Sequence, residues 1–144
     1  YNRIGPISFD VHAGIRNSIF SDNNAQDVIY EMHSSIGSQS IVLGMEYRTL
    51  NNNITCYYNA GRDMFHDGFE DHLSRLLSLP LGEIMLTNIS RDGMLSGLDC
   101  AIINRVDSHI PVILSGGFDG SIPKVCNMSG FAASSYHINK YIRK

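Results

Sequence analysis

Three stretches carry residues whose type and position suit chemistry. Glu46 ends the apolar run Ser40 to Met45, Thr87 ends the run Glu83 to Leu86 and leads into Arg91-Asp92-Gly93, and Pro111 to Leu114 opens into Ser115-Gly116-Gly117. A carboxylate at the mouth of an apolar strand can have its pKa raised by desolvation toward working pH, which makes Glu46 the best acid or base candidate; taken alone, the position more often marks a solvated strand terminus. Glycine-rich tips can surround a phosphate with backbone N–H groups and need no cluster of basic side chains. Asp92-Gly93 and Ser115-Gly116-Gly117 therefore read either as an anion cradle or as tight turns between strand and helix.

A second cluster, His66, Asp67, Glu70, Asp71 and His72, would place His66 and Glu70 on one helical face, compatible with a metal. Its spacing is unlike HExxH, and acids near the positive end of a helix account for it without a metal. His12, His33, His109 and His137 are isolated, as surface or packing histidines are. No GxSxG elbow, Walker loop or complete GxGxxG occurs. Neither a metal nor a cofactor is expected.

The elements that must position these residues follow from periodicity. Val28, Ile29, Met32 and Ile36 recur at helical spacing, with Asp22 or Asn23 to cap the start and Gly37 to stop the helix. The run from Ser40 to Tyr47 predicts a strand buried on both faces, with Glu46 at its end. Asn51-Asn52-Asn53 predicts a turn that returns Ile54 to Tyr58 as a small hairpin outside the main sheet. Residues 65 to 79 predict a second helix ended by Pro80, and Glu83 to Ile89 a second strand. Asp99 is expected to cap a third helix carrying Ile102, Ile103 and Val106, ahead of the strand Pro111 to Leu114. Ser121 to Met128 reads as a shorter helix, Phe131 to Ala133 as a weak strand and Tyr136 to Arg143 as a terminal helix. Near the start, Ile7-Ser8-Phe9 and Ile15 to Phe20 are alternative extended segments.

About four β-α repeats result, which build either an open doubly wound sheet or part of a closed barrel. A full barrel usually needs ~250 residues, so 144 residues fit half of one. The fold class expected is α/β, half of a TIM (βα)8 barrel with parallel strands. Residues 1–16 form an N-terminal segment and 17–144 the half-barrel domain.

Composition bounds the role. Apolar residues are 43% of the chain, enough for one core, and 11 Lys plus Arg against 14 Asp plus Glu give a net charge of -3, which offers polyanions little attraction. Nucleic acid and membrane partners are not expected, no apolar run approaches a membrane span, and a cytoplasmic location follows as the expectation. Cys56, Cys100 and Cys126 are odd in number, with no CxxC pair, and read as reduced thiols.

Gly37-Ser38-Gln39-Ser40-Ile41-Val42, the stretch Gly82 to Gly93 and the stretch Pro111 to Gly117 together resemble the cyclase subunit of imidazole glycerol phosphate synthase, a TIM-barrel family of histidine biosynthesis. The second stretch is similar to the family's GEILLTSIDRDG signature and the third to its PVIASGG strand. The resemblance runs from about Asn17 to His137 and matches the second half of the family's barrel. It implies a lyase that cyclises a phosphorylated ribotide with ammonia supplied by a glutaminase subunit, or a related amidation. It places Glu46 at the family's catalytic aspartate, Thr87 at its threonine of the sixth strand, and Asp92, Gly93, Ser115, Gly116, Gly117, Ala133 and Ser134 at phosphate-binding positions. Glu83 matches the charged residue of the ammonia gate and glutaminase docking mouth, at the other end of the barrel. The extra methylene of Glu46 displaces the acid by ~1.5 Å, and such a shift can cost ~100-fold in rate. A half-barrel leaves sheet edges unpaired, so a homo-oligomer or a complementary half-barrel is expected, with little turnover by an isolated copy. The competing expectation is a noncatalytic phosphate-binding half-barrel that acts as an assembly or binding module.

Overall fold

The computed structural model describes residues 13–16, 25–124, 126–133 and 136, with residues 13–16 and 25 followed as backbone alone. In chain order these form β1 (Ala13–Arg16), α1 (Ala25–Ile36), β2 (Ile41–Leu50), β3 (Asn53–Tyr58), β4 (Asp63–Met64), α2 (Phe69–Leu77), β5 (Glu83–Asn88), β6 (Val112–Ser115) and β7 (Gly130–Ala132). Short 3-10 turns at Ser38–Ser40 and Cys100–Arg105 complete the set. The fold is α/β, part of a TIM barrel, and among the described residues five parallel strands run in the order β1, β2, β5, β6, β7.

That is one strand more than the repeat count predicts. The additional one, β1, is four residues long with one large apolar residue, Ile15, so it leaves little periodic signal. The alternative segment Ile7-Ser8-Phe9, the capping residues Asp22 and Asn23, and all but Tyr136 of the terminal helix lie outside the described residues.

One edge of β2 serves two partners. Its first half pairs in parallel with β1, from Ala13 opposite Ile41 to Arg16 opposite Gly44, and its second half pairs antiparallel with β3, from Glu46 opposite Tyr57 to Leu50 opposite Asn53. Asn51 and Asn52 turn the hairpin with φ of 51° and 65°, a conformation asparagine tolerates well. The hairpin is thus part of the main sheet, where the sequence places it outside. Because β2 continues to Leu50, Glu46 lies within the strand and not at its end.

The expectation of burial on both faces is corrected as well. Ile41, Leu43, Met45 and Tyr47 are buried, while Val42, Gly44 and Glu46 between them are half-buried. The same alternation runs through β5 and β6. The covered face packs Ile84, Leu86 and Leu114 against Ile29 of α1, Phe69, Leu73 and Leu76 of α2, and Ile102. Each such side chain contributes roughly 1.5–3 kcal/mol of burial. The opposite face carries the residues with chemistry.

Three helix boundaries differ from the periodic reading. α1 ends as expected, with Gly37 at φ 79° donating its N–H to His33 O at 2.9 Å. α2 starts four residues late, because Phe65 donates its N–H to Cys56 O and so belongs to the hairpin. The third helix is a 3-10 turn at Cys100–Arg105, and Asp99 makes no capping bond: its carboxylate is committed to Tyr47 and Asn88. Among the described residues of 121–128 there is no helix; Asp119 binds both N and Oγ of Ser121, and Pro123 has no N–H to give.

The cysteines are corrected too. Cys100 and Cys126 form a disulfide with Cα atoms 5.5 Å apart, while Cys56 is free and buried. Burial, then the nearby Asp67 and Glu70 charges, push the Cys56 thiol up to about 12, which makes it unreactive. No helix among the described residues is long and apolar enough to cross a membrane.

Candidate active site

Sheet register brings the candidate residues of three strands into one row. Glu46 lies opposite Thr87, Thr87 opposite Ser115, and Ser115 opposite Ala132. With strands ~4.8 Å apart, four adjacent positions span about 14 Å. All four are half-buried on the open face of the sheet.

Two cavities meet at this row. One, of about 500 Å³, is lined by Gly44, Glu46, Arg48, Thr87, Asp92 and Ser115. The other, of about 170 Å³, is bounded by Asp92, Gly93, Ser115, Gly116, Gly117 and Ala133 among others, with Phe118 and Tyr136 closing it. Asp92 and Ser115 line both, so the acid candidate and the glycine tips share one hollow. Ser134 lies outside the described residues. Glu83 faces the same side of the sheet four residues before Thr87, at the other end of β5 and opposite Val42.

The glycines are required by close packing of backbone on backbone. A Cβ on Gly116, at φ 87°, would lie 2.4 Å from Asn88 O, and one on Gly117, at φ 92°, would lie 2.5 Å from Gly97 O. Gly93 is also left-handed, at φ 75°. The tips are thus tight turns, and those turns wall the smaller cavity.

A buried network behind the site was not visible in the sequence. Asp99 Oδ2 accepts from Tyr47 Oη at 3.1 Å and from Asn88 Nδ2 at 2.7 Å. Asn88 Oδ1 in turn accepts from Ser90 N at 3.1 Å, and Arg91 donates to Gly97 O at 3.2 Å. Burial, then the Asp99 charge and its hydrogen bond, push the Tyr47 hydroxyl far above the usual tyrosine range, so it stays a donor. The loop 89–98 is tied by these bonds to the strand that carries Glu46. The available signal was Tyr47 itself, a polar-tipped aromatic at a buried position of β2.

The structure does not place His66 and Glu70 on one helical face, as their spacing suggested. His66 precedes α2, Glu70 pairs with Arg105, and Asp67 pairs with Arg75 at 2.6 Å. Among the described residues no group of three or more potential ligands gathers.

The parallel βα order, with glycine tips following successive strands, has a counterpart among known proteins. Residues 7–126 match the family described as histidine biosynthesis protein. The chain belongs to that family. Within it, the chain is similar to imidazole glycerol phosphate synthase subunit HisF of Chlorobium phaeobacteroides strain BS1, at 28% identity over 79% of this chain and 49% of the relative. The same subunit of Alkaliphilus metalliredigens is 32% identical over 78% of this chain and 48% of the relative, and that of Solibacter usitatus 32% identical over 80% and 49%. The chain spans about half the length of these curated relatives. The histidine biosynthesis fold accounts for the five parallel strands and for the open face, which a whole barrel would turn inward.

Proposed function

We propose that this chain supplies the phosphate grip and one acid-base carboxylate of an ammonia-dependent cyclase of the lyase class acting on a phosphorylated ribotide. The observation that carries the reading is the shared hollow: Glu46 and Thr87 in one cavity, Gly93, Gly116 and Gly117 in the next, joined by Asp92 and Ser115. In this reading Glu46 transfers the proton, Thr87 orients the reacting group by its hydroxyl, and the tips with Ala133 and Ser134 bind the phosphate. Glu83, at the opposite end of β5, faces the entry for ammonia from a glutaminase subunit. The open face and the edges of β1 and β7 take a complementary half-barrel or a second copy, which brings the further carboxylate that the chemistry needs.

Glu46→Asp and Glu46→Gln test the assignment in ammonia-dependent turnover of the ribotide by the closed assembly. A catalytic Glu46 loses on the order of 100-fold or more in the Gln variant while the Asp variant retains or gains rate. Equal rates for the parent chain and Glu46→Gln would overturn the acid-base role. A second reading is a noncatalytic phosphate-binding half-barrel, supported by the smaller cavity, which the glycine tips wall. It predicts phosphate affinities within about twofold for both variants and turnover in neither, nor in the parent.

A further inference from the structure

The disulfide lies where it can act on the phosphate grip. Cys100 directly follows Asp99, which anchors Tyr47 and Asn88, and Cys126 lies four residues ahead of β7, whose Ala132 walls the smaller cavity. Between Ser115 and β7 the chain holds no helix among the described residues. Among the described residues the return is fastened by the turn at Asp119 and Ser121, the bonds from Gly97 N to Gly117 O and from Ser129 N to Val112 O, both 2.8 Å, the stack of Phe118 on Phe131 at 4.5 Å, and the crosslink. The stretch between those anchors has no regular element among the described residues, so a covalent tie adds to what keeps it closed.

The crosslink is also accessible. Cys100 and Cys126 are both half-buried and line an outer cavity of about 310 Å³ with Ile103, Asn104, Lys124 and Asn127. Two amides and an ammonium beside a disulfide suit a small anionic thiol, attracted by Lys124 and held by hydrogen bonds.

We propose that Cys100–Cys126 is a thiol-disulfide exchange site for a small anionic thiol, and that its state sets how firmly β7 closes the phosphate grip. The thiolate attacks one sulfur, the S–S bond breaks, and the other cysteine leaves as a thiolate that takes up a proton. A second thiol attacks the mixed disulfide and releases the remaining cysteine. Two cysteine thiols form as two external thiols become one disulfide, a transfer of two electrons and two protons. The crosslinked form grips; the dithiol form loosens.

The coupling to phosphate rests on the function proposed above, and the test separates the two. On the full chain, inorganic phosphate affinity and amide exchange of residues 126–133 are measured oxidised, after reduced glutathione, and in a Cys100→Ser, Cys126→Ser double variant. Phosphate binding is expected to weaken about 10-fold on reduction, and exchange of 130–132 to accelerate by at least that factor, with the double variant behaving as the reduced chain in both. Lys124→Glu should slow reduction by glutathione several-fold and leave the rate with neutral 2-mercaptoethanol unchanged. Identical exchange in both redox states, or equal sensitivity of the two reductants to Lys124→Glu, would overturn the proposal. Redox-dependent exchange without phosphate binding in any state supports the switch and instead sinks the phosphate reading.

Discussion

Tyr47 and Asp99, 52 residues apart in the chain, meet in the interior through one hydrogen bond of 3.1 Å from the phenol to the carboxylate. Tyr47 is 1% exposed and Asp99 9%, so neither group can exchange its partner for bulk water. The bond joins the strand of Glu46 to the segment that follows the Asp92-Gly93 loop. The site thus rests on a polar contact beneath it as much as on the strands beside it.

Removing the two partners should have unequal effects. Asp99→Ala orphans both the Tyr47 hydroxyl and the Asn88 amide, at a cost of about 2–4 kcal/mol, whereas Tyr47→Phe leaves Asn88 bonded and costs about 1 kcal/mol. Urea unfolding of both variants checks the order. Because Asp99→Ala removes the bonds to both Tyr47 and Asn88 while Tyr47→Phe keeps the one to Asn88, phosphate affinity should fall further in Asp99→Ala than in Tyr47→Phe. The reverse order of stability would show that Asp99 is satisfied elsewhere.

His72 makes folding depend on acidity. It is fully buried in α2, 4.2 Å from the Phe65 ring, with the Arg75 guanidinium 2.8 Å from Nδ1 and Nε2 unpartnered among the described residues. Burial, then the Arg75 charge, push its pKa down from 6.5 to about 4. The unfolded chain therefore takes the proton first. Stability is full above pH 6.5 and falls as the pH drops toward 4, by roughly 3 kcal/mol for this group. Urea midpoints from pH 7 to pH 4 should show that loss, and His72→Phe should remove this part of it. A parallel decline in both proteins would assign the acid limb to other groups.

How much was legible follows from how local each signal is. The runs through Met45, Leu86 and Leu114 are short and apolar, and each is followed by residues that suit a turn, so β2, β5, β6 and their tips could be read before any contact was known. The asparagines at 51 and 52 marked the hairpin, although not its place in the sheet, which depends on β2 sharing one edge between two partners. Phe65 mimicked a helical position because its spacing to Phe69 is right, yet its N–H is spent on Cys56. Asp99 looked like a cap for the same kind of reason, and its real partners are 11 and 52 residues away. The pairing of Cys100 with Cys126 is likewise a long-range contact, and spacing alone could not give it.

A Cβ added at Gly117 tests the tips most directly, because the carbonyl of Gly117 accepts from Gly97 N at 2.8 Å while Gly97 O and the Arg91 Cβ stand 2.5 and 2.9 Å from where the new carbon would lie. Both obstacles belong to the loop that carries Asp92 and Gly93, so Gly117→Ala must push the two tips apart or unbend its own left-handed turn. Either response costs about 1–3 kcal/mol and widens the smaller cavity, and inorganic phosphate should bind roughly 10-fold more weakly, since 1.4 kcal/mol corresponds to one decade. Gly68→Ala serves as the comparison: its Cβ would meet only Asp71 Oδ2, at an ordinary 3.5 Å, and the residue lies ahead of α2, away from both cavities. It should leave phosphate affinity unchanged. Equal affinities for Gly117→Ala and Gly68→Ala would show that the glycine tips fold the loop without touching the anion.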